Sequence, residues 1–129
     1  MHFVLKLVQQ AQEEQWPFPY TLSKLRDAGV VQYHVSWDQE FKIVFQLIDN
    51  TQVEENHPEF QIDISGNYSL QGARIALLKH QQGMSSYAEW LNEMGQSGVI
   101  AYRVDPYART VTYFGSEPEN FFVEQVPGE

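Results

Sequence analysis

His34, Arg103 and Asp105 are the residues of this sequence whose types and placement come closest to a chemical constellation. Histidine titrates near neutrality, a carboxylate can orient it, and a guanidinium can hold an anion beside both. Each lies in a run with alternating apolar residues: Val31, Tyr33 and Val35 around His34, and Ile100, Tyr102 and Val104 around Arg103 and Asp105. In a strand, a period of two sends such apolar residues to one sheet face and the residues between them to the other. His34 then shares an outward face with Gln32 and Ser36, and Arg103 and Asp105 share theirs with Ala101. Lys42, Val44, Gln46, Thr110, Thr112 and Phe114 join them by the same count. This is a candidate ligand or partner site on an open sheet face. An antiparallel sheet with one solvated face carries such side chains without any site, so alternation alone marks a place to look.

Stronger chemistry is missing. His57 stands near Glu54, Glu55 and Glu59, but the spacing matches neither a helical His-x-x-x-His pair nor a calcium loop. Ser65, Ser85 and Ser86 lack a nucleophile-elbow setting, there is no glycine-rich phosphate loop, and the chain has no cysteine. The sequence therefore assigns no catalytic residue, no metal and no cofactor. Two aromatics are candidate partner contacts: Trp37 in Ser36-Trp37-Asp38-Gln39 and Tyr107 in Pro106-Tyr107-Ala108-Arg109. Both runs read as hairpin turns, where an exposed ring has less packing reason to exist and interface aromatics are found. Trp16 and Phe18 are expected in the core.

The elements that position these residues come from a self-similarity. When Gly29 is laid on Gly98, Phe18, Leu22 and Leu25 fall on Tyr87, Leu91 and Met94, while Val30, Val31, Tyr33 and Val35 fall on Val99, Ile100, Tyr102 and Val104. Apolar spacing of i, i+4, i+7 followed by glycine is an amphipathic helix ending in a left-handed cap. An earlier helix precedes each: Val4, Leu7, Val8 and Ala11 mark one, and Leu70 to Gln82, N-capped by Ser69 and stopped by Gly83, the other. Ser86-Tyr87-Ala88-Glu89 fits a capping box. Later strands are expected at Phe41 to Leu47, Phe60 to Ile64, around Val111 and Tyr113, and at Phe121 to Gln125. The pattern predicts an α+β fold, an internal duplication of an ααβββ unit, with an antiparallel sheet and helices on one face. One domain over residues 1–129 is expected, its two repeats covering about 1–65 and 66–129.

Ala28-Gly29-Val30-Val31-Gln32-Tyr33-His34-Val35, Tyr87-Ala88-Glu89-Trp90-Leu91, Gly98-Val99-Ile100-Ala101-Tyr102, Val111-Thr112-Tyr113-Phe114-Gly115 and Val123-Glu124-Gln125-Val126-Pro127-Gly128 together resemble the YdfO/YbcV-like proteins. The resemblance runs from about Trp16 to Glu129. It implies a small bacterial or prophage protein of unknown function with a duplicated α+β fold, in a family sometimes labelled phage envelope protein. It maps no catalytic residue onto this chain.

Seventeen acidic side chains against eight basic ones give a net charge of −9, which disfavours phosphate backbones and anionic lipid. Direct nucleic-acid binding is therefore not expected. The opening residues lack the apolar core and cleavage site of a signal peptide, no apolar run is long enough for a membrane span, and a cytoplasmic location is the expectation. Acids without any Lys or Arg fill Ile43 to Ala73 (Asp49, Glu54, Glu55, Glu59, Asp63), and a second such tract is Glu117, Glu119, Glu124 and Glu129. The expected function is that of a non-enzymatic, prophage-type accessory or protein-binding module acting through an acidic surface or the open sheet face. Two alternatives stand beside it: a small ligand-binding domain or enzyme with a polar site between the repeats, and a virion-associated structural protein. Neither the partner nor the oligomeric state is fixed by the sequence.

Overall fold

In the computed structural model, which describes residues 2–127, four helices and six strands follow one another in the order ααβββ, ααβββ. They are α1 (Phe3–Glu13), α2 (Phe18–Asp27), β1 (Val30–Ser36), β2 (Lys42–Leu47), β3 (Gln52–Asn56), α3 (Leu70–Gln81), α4 (Tyr87–Gln96), β4 (Val99–Asp105), β5 (Thr110–Gly115) and β6 (Phe121–Gln125). The strands form one antiparallel sheet in the order β3-β2-β1-β4-β5-β6, with the helices on one face.

The helix ends follow from local chemistry. Ser69 Oγ accepts from the Gly72 amide at the start of α3, and Ser86 and Glu89 form a reciprocal capping box at the start of α4. Gly29 (φ 93°) and Gly98 (φ 82°) lie just past the ends of α2 and α4 in the left-handed region, where a Cβ would clash with the backbone.

The sheet's helix-facing side carries Tyr33, Val35, Phe45, Val53, Tyr102, Val104, Val111, Tyr113 and Phe122, all buried against Val4, Leu22, Leu25, Trp90, Leu91 and Met94. Register correspondence runs deep. Tyr33 pairs with Phe45 and Val35 with Ile43, just as Tyr102 pairs with Tyr113 and Val104 with Val111. The first strands correspond at an offset of 69 residues and the second strands at one residue less.

Several sequence expectations change. The third strand of the first half is Gln52–Asn56, not Phe60 to Ile64. As a sheet edge it buries only Val53, so it carries no run of alternating apolars. The Phe60–Ile64 stretch instead runs irregularly against the core and over α4, where Ser65 N donates to Gly95 O at 2.8 Å. Trp16 is half-buried at the mouth of α2, its Nε1 donating to Glu14, and Phe18 is 40% exposed. A bulge between Val99 and Ala101 turns Ile100 from the expected helix-facing side toward the open face.

Candidate functional site

The open face reads as rows of side chains crossing the strands. One row is Glu54, Val44, His34, Arg103, Thr112 and Val123; the next is Asn56, Lys42, Ser36, Ala101, Phe114 and Phe121. Gln52, Gln46 and Gln32 begin a third. Over β1, β2 and β3, and reaching Ile100 and Ala101 of β4 and Phe114 of β5, the sheet and the Asp38–Glu40 turn border an open trough of about 960 Å³. Its floor and lips include Gln32, His34, Ser36, Lys42, Gln46 and Glu54, and Gln32 Nε2 donates to Gln46 Oε1 at 3.3 Å. Toward the other edge the face turns apolar: Phe114 is half-buried, and Phe121 and Val123 are 53% and 54% exposed.

His34 and Arg103 are direct cross-strand partners at the centre of this face. Burial holds the His34 pKa below its ordinary value; the positive charges of Arg103 and Lys42 lower it further, and Asp38 opposes them. The Arg103 guanidinium lies over the Phe114 ring at 5.4 Å, and among the described residues it makes no ion pair. Asp105 does not join the pair. Its Oδ1 accepts from the amides of Tyr107 and Ala108, both at 2.9 Å, so the carboxylate is spent on the β4–β5 turn.

The two candidate aromatics part company. Tyr107 is 52% exposed on its turn, whereas Trp37 is 2% exposed. The Trp37 amide donates to Ile100 O at 3.0 Å and its Nε1 to Val99 O at 2.9 Å. The residue after β1 therefore folds back beneath the β1–β2 turn and ties it to β4, which makes Trp37 a core residue, not a surface for a partner. Arg109 is likewise structural: its guanidinium donates to Ser23 Oγ, Pro19 O and Pro127 O, fastening the β4–β5 turn to α2 and the chain end.

Neither Trp37 nor the Asp49 to Glu59 segment covers the face, because that segment contributes β3 to the same sheet. Gln52, Glu54 and Asn56 are the site residues that sequence reasoning missed. The signal was present in their period of two, obscured because only one apolar residue stands between them. His57 sits just beyond, clasped between Glu55 and Glu59. Burial alone would lower its pKa, but hydrogen bonds and charge from the two glutamates outweigh that and raise it. No group of three or more His, Asp or Glu able to hold a metal ion occurs among the described residues.

The acidic tracts do not meet. Glu54, Glu55 and Glu59 lie at the β3 edge and Glu117, Glu119 and Glu124 at the β6 edge, separated by five strand spacings of about 4.8 Å, or roughly 24 Å.

The profile of a family described as proteins of unknown function, DUF1398, matches residues 6–125. The chain belongs to the DUF1398 family. Its uncharacterised status accords with the expectation drawn from the sequence, and the match spans both ααβββ runs, with the His34–Arg103 pair inside it. No curated protein matches the chain. For this DUF1398 member, as for its fold, no helix among the described residues is long and apolar enough to cross a membrane.

Proposed function

We propose that this DUF1398 domain is a non-enzymatic recognition module that binds a protein segment on the open face of its sheet. One observation carries the reading: an uncovered polar trough with the half-buried His34 in its lining and, across the β1–β4 ladder from His34, the Arg103 guanidinium, which makes no ion pair among the described residues. Gln32, Gln46, Gln52, Asn56 and Ser36 each both donate and accept, which suits the amide groups of a polypeptide. Asp38, Glu40 and Glu54 at the lip repel phosphate and favour a Lys or Arg on the occupant.

Acid–base chemistry is the weaker reading, since Asp105 is committed to its turn and the trough beside the half-buried His34 is open to solvent. Separation of the acidic tracts likewise favours the face over an acidic surface as the contact. A prophage accessory role rests on the resemblance to YdfO/YbcV-like proteins, and a single domain built by duplication is the account we prefer for the matched registers.

The test places a photo-crosslinking side chain at Gln46, and in a second protein at Gln12 on the exposed side of α1, and exposes both to the native host. Adducts with a discrete protein from position 46 and none from position 12 are expected. Adducts from position 12 alone would remove the reading.

A further inference from the structure

The two edges of the sheet are finished differently. At β3, Glu54 and the following Pro58 guard the strand against further pairing. At β6 the exposed side chains are Phe121, Val123 and Gln125, two of them large and apolar. Val126 N donates to Arg109 O and Gly115 N to Asn120 O, so by antiparallel alternation Phe122 and Glu124 spend their amides on β5. Phe121, Val123 and Gln125 therefore turn their backbone groups outward. After β6 the chain leaves the edge, held by Arg109 at Pro127.

A helix flanks the same edge. Arg74 of α3 lies over the Phe122 ring at 5.8 Å, and Gln81 reaches Glu124. Leu78, between them on that stripe, is 55% exposed, and Ile75 beside it 60%. Leu70, Gln71, Arg74, Ile75 and Leu78 line a shallow groove of about 340 Å³. In a chain of net charge −9, α3 carries no acid.

We propose that a second copy of this chain pairs here, β6 against β6 about a two-fold axis through Val123, to form one continuous sheet. In that register all three outward-facing residues bond: Val123 to its own counterpart, and Phe121 to the partner's Gln125. On the helix side Glu124 comes opposite the partner's Phe122, under the partner's Arg74, so unlike charges meet twice by symmetry. The two α3 stripes face each other above the joined strands. A lone peptide strand would complete the edge but leave the apolar stripe of α3 bare, whereas a second copy supplies both layers. This interface is separate from the trough over β1, β2 and β3, and leaves that trough open.

Sedimentation equilibrium on the intact protein across a dilution series tests it, together with amide exchange at Phe121, Val123 and Gln125. A species of twice the 15.0 kDa chain mass, with those three amides protected, is expected. Val123→Lys brings like charges together on the axis and should weaken dimerisation about tenfold or more while the thermal melt of the monomer stays cooperative. Glu54→Lys, at the other edge, should leave the dimer intact. A monomer whose three amides exchange freely overturns the proposal whatever the variants do. So does a dimer that persists unchanged in Val123→Lys, and so does a monomer whose β6 amides become protected only when an extended peptide is added.

Discussion

His34 and Arg103 face each other across the β1–β4 ladder, and each is the other's counterpart at the 69-residue offset that aligns the two ααβββ runs. The neighbouring pairs, Tyr33 with Val104 and Val35 with Tyr102, interchange under the same offset. A local two-fold thus passes between the imidazole and the guanidinium. Matching positions on a solvated face are free to differ, because neither has a core to fill; here one is a cation and the other a titratable ring. The central strands keep their helix-facing residues alike, Tyr33 with Tyr102 and Val35 with Val104, since those are fixed by packing.

The electrostatic coupling of this pair predicts opposite behaviour from two histidines. His34 should titrate below its ordinary 6.5, through burial and then Arg103, and His57 above it through Glu55 and Glu59. With its folded pKa lowered, His34 contributes stability that is complete above 6.5 and is lost as pH falls through the folded value. The contribution of His57 is complete below 6.5 and is lost as pH rises through its raised value. Ring resonances followed by NMR should show the two midpoints on either side of 6.5, with Arg103→Ala moving His34 alone upward. Coincident midpoints would contradict the environment described for the face.

The two capping glycines are not equally replaceable. At Gly29 an added Cβ meets nothing nearer than Ile48 Cγ2 at 3.6 Å, so Gly29→Ala carries only the left-handed strain, about 1 kcal/mol. At Gly98 it meets Tyr68 Cα at 2.7 Å and Asn67 O at 2.9 Å, both backbone, and the segment before α3 must shift. Gly98→Ala should cost about 2 kcal/mol or more. Urea unfolding of the two variants side by side checks the order.

Trp37 was expected at a surface and lies in the core, which makes its deletion a stability experiment. Trp37→Ala should lose about 3–5 kcal/mol by opening a cavity beneath the β1–β2 turn. Trp37→Phe keeps most of the ring but strands the Val99 carbonyl, for about 1–2 kcal/mol. Equal and small losses in both would place the ring outside.

Legibility followed packing. Helices with apolar stripes and side-chain caps, and strands with one buried face, were readable because burial imposes a period: Leu22 and Leu25, Leu91 and Met94, Tyr33 and Val35 all carry it. β3 was misplaced because an edge strand needs only Val53 inside, while Phe60, Ile62 and Ile64 alternate for a different reason, packing as irregular chain. Trp37 was misread because its indole bonds to a carbonyl 62 residues away, a contact no local pattern contains. The members of the candidate site were legible as far as the alternation reached: Gln32, His34, Ser36, Lys42, Gln46 and Arg103 all fall on the open face. What could not be read was that Asp105 caps its own turn and that the Asp49 to Glu59 region widens the face instead of covering it. Superposing Phe18–Phe45 on Tyr87–Phe114 should align helix, glycine and first strand at 69 residues, with the second strand one residue short.

Whether the open face is the binding surface is tested most directly by Arg103→Glu. The side chain is exposed and makes no ion pair among the described residues, so reversing its charge should leave the melting temperature within a degree or two, about the scatter of surface substitutions. Titrating the variant and the native protein with the partner captured through position 46 should show affinity falling about tenfold or more. An unchanged dissociation constant, with fold and melting temperature intact, would place binding elsewhere on the molecule and contradict the central claim.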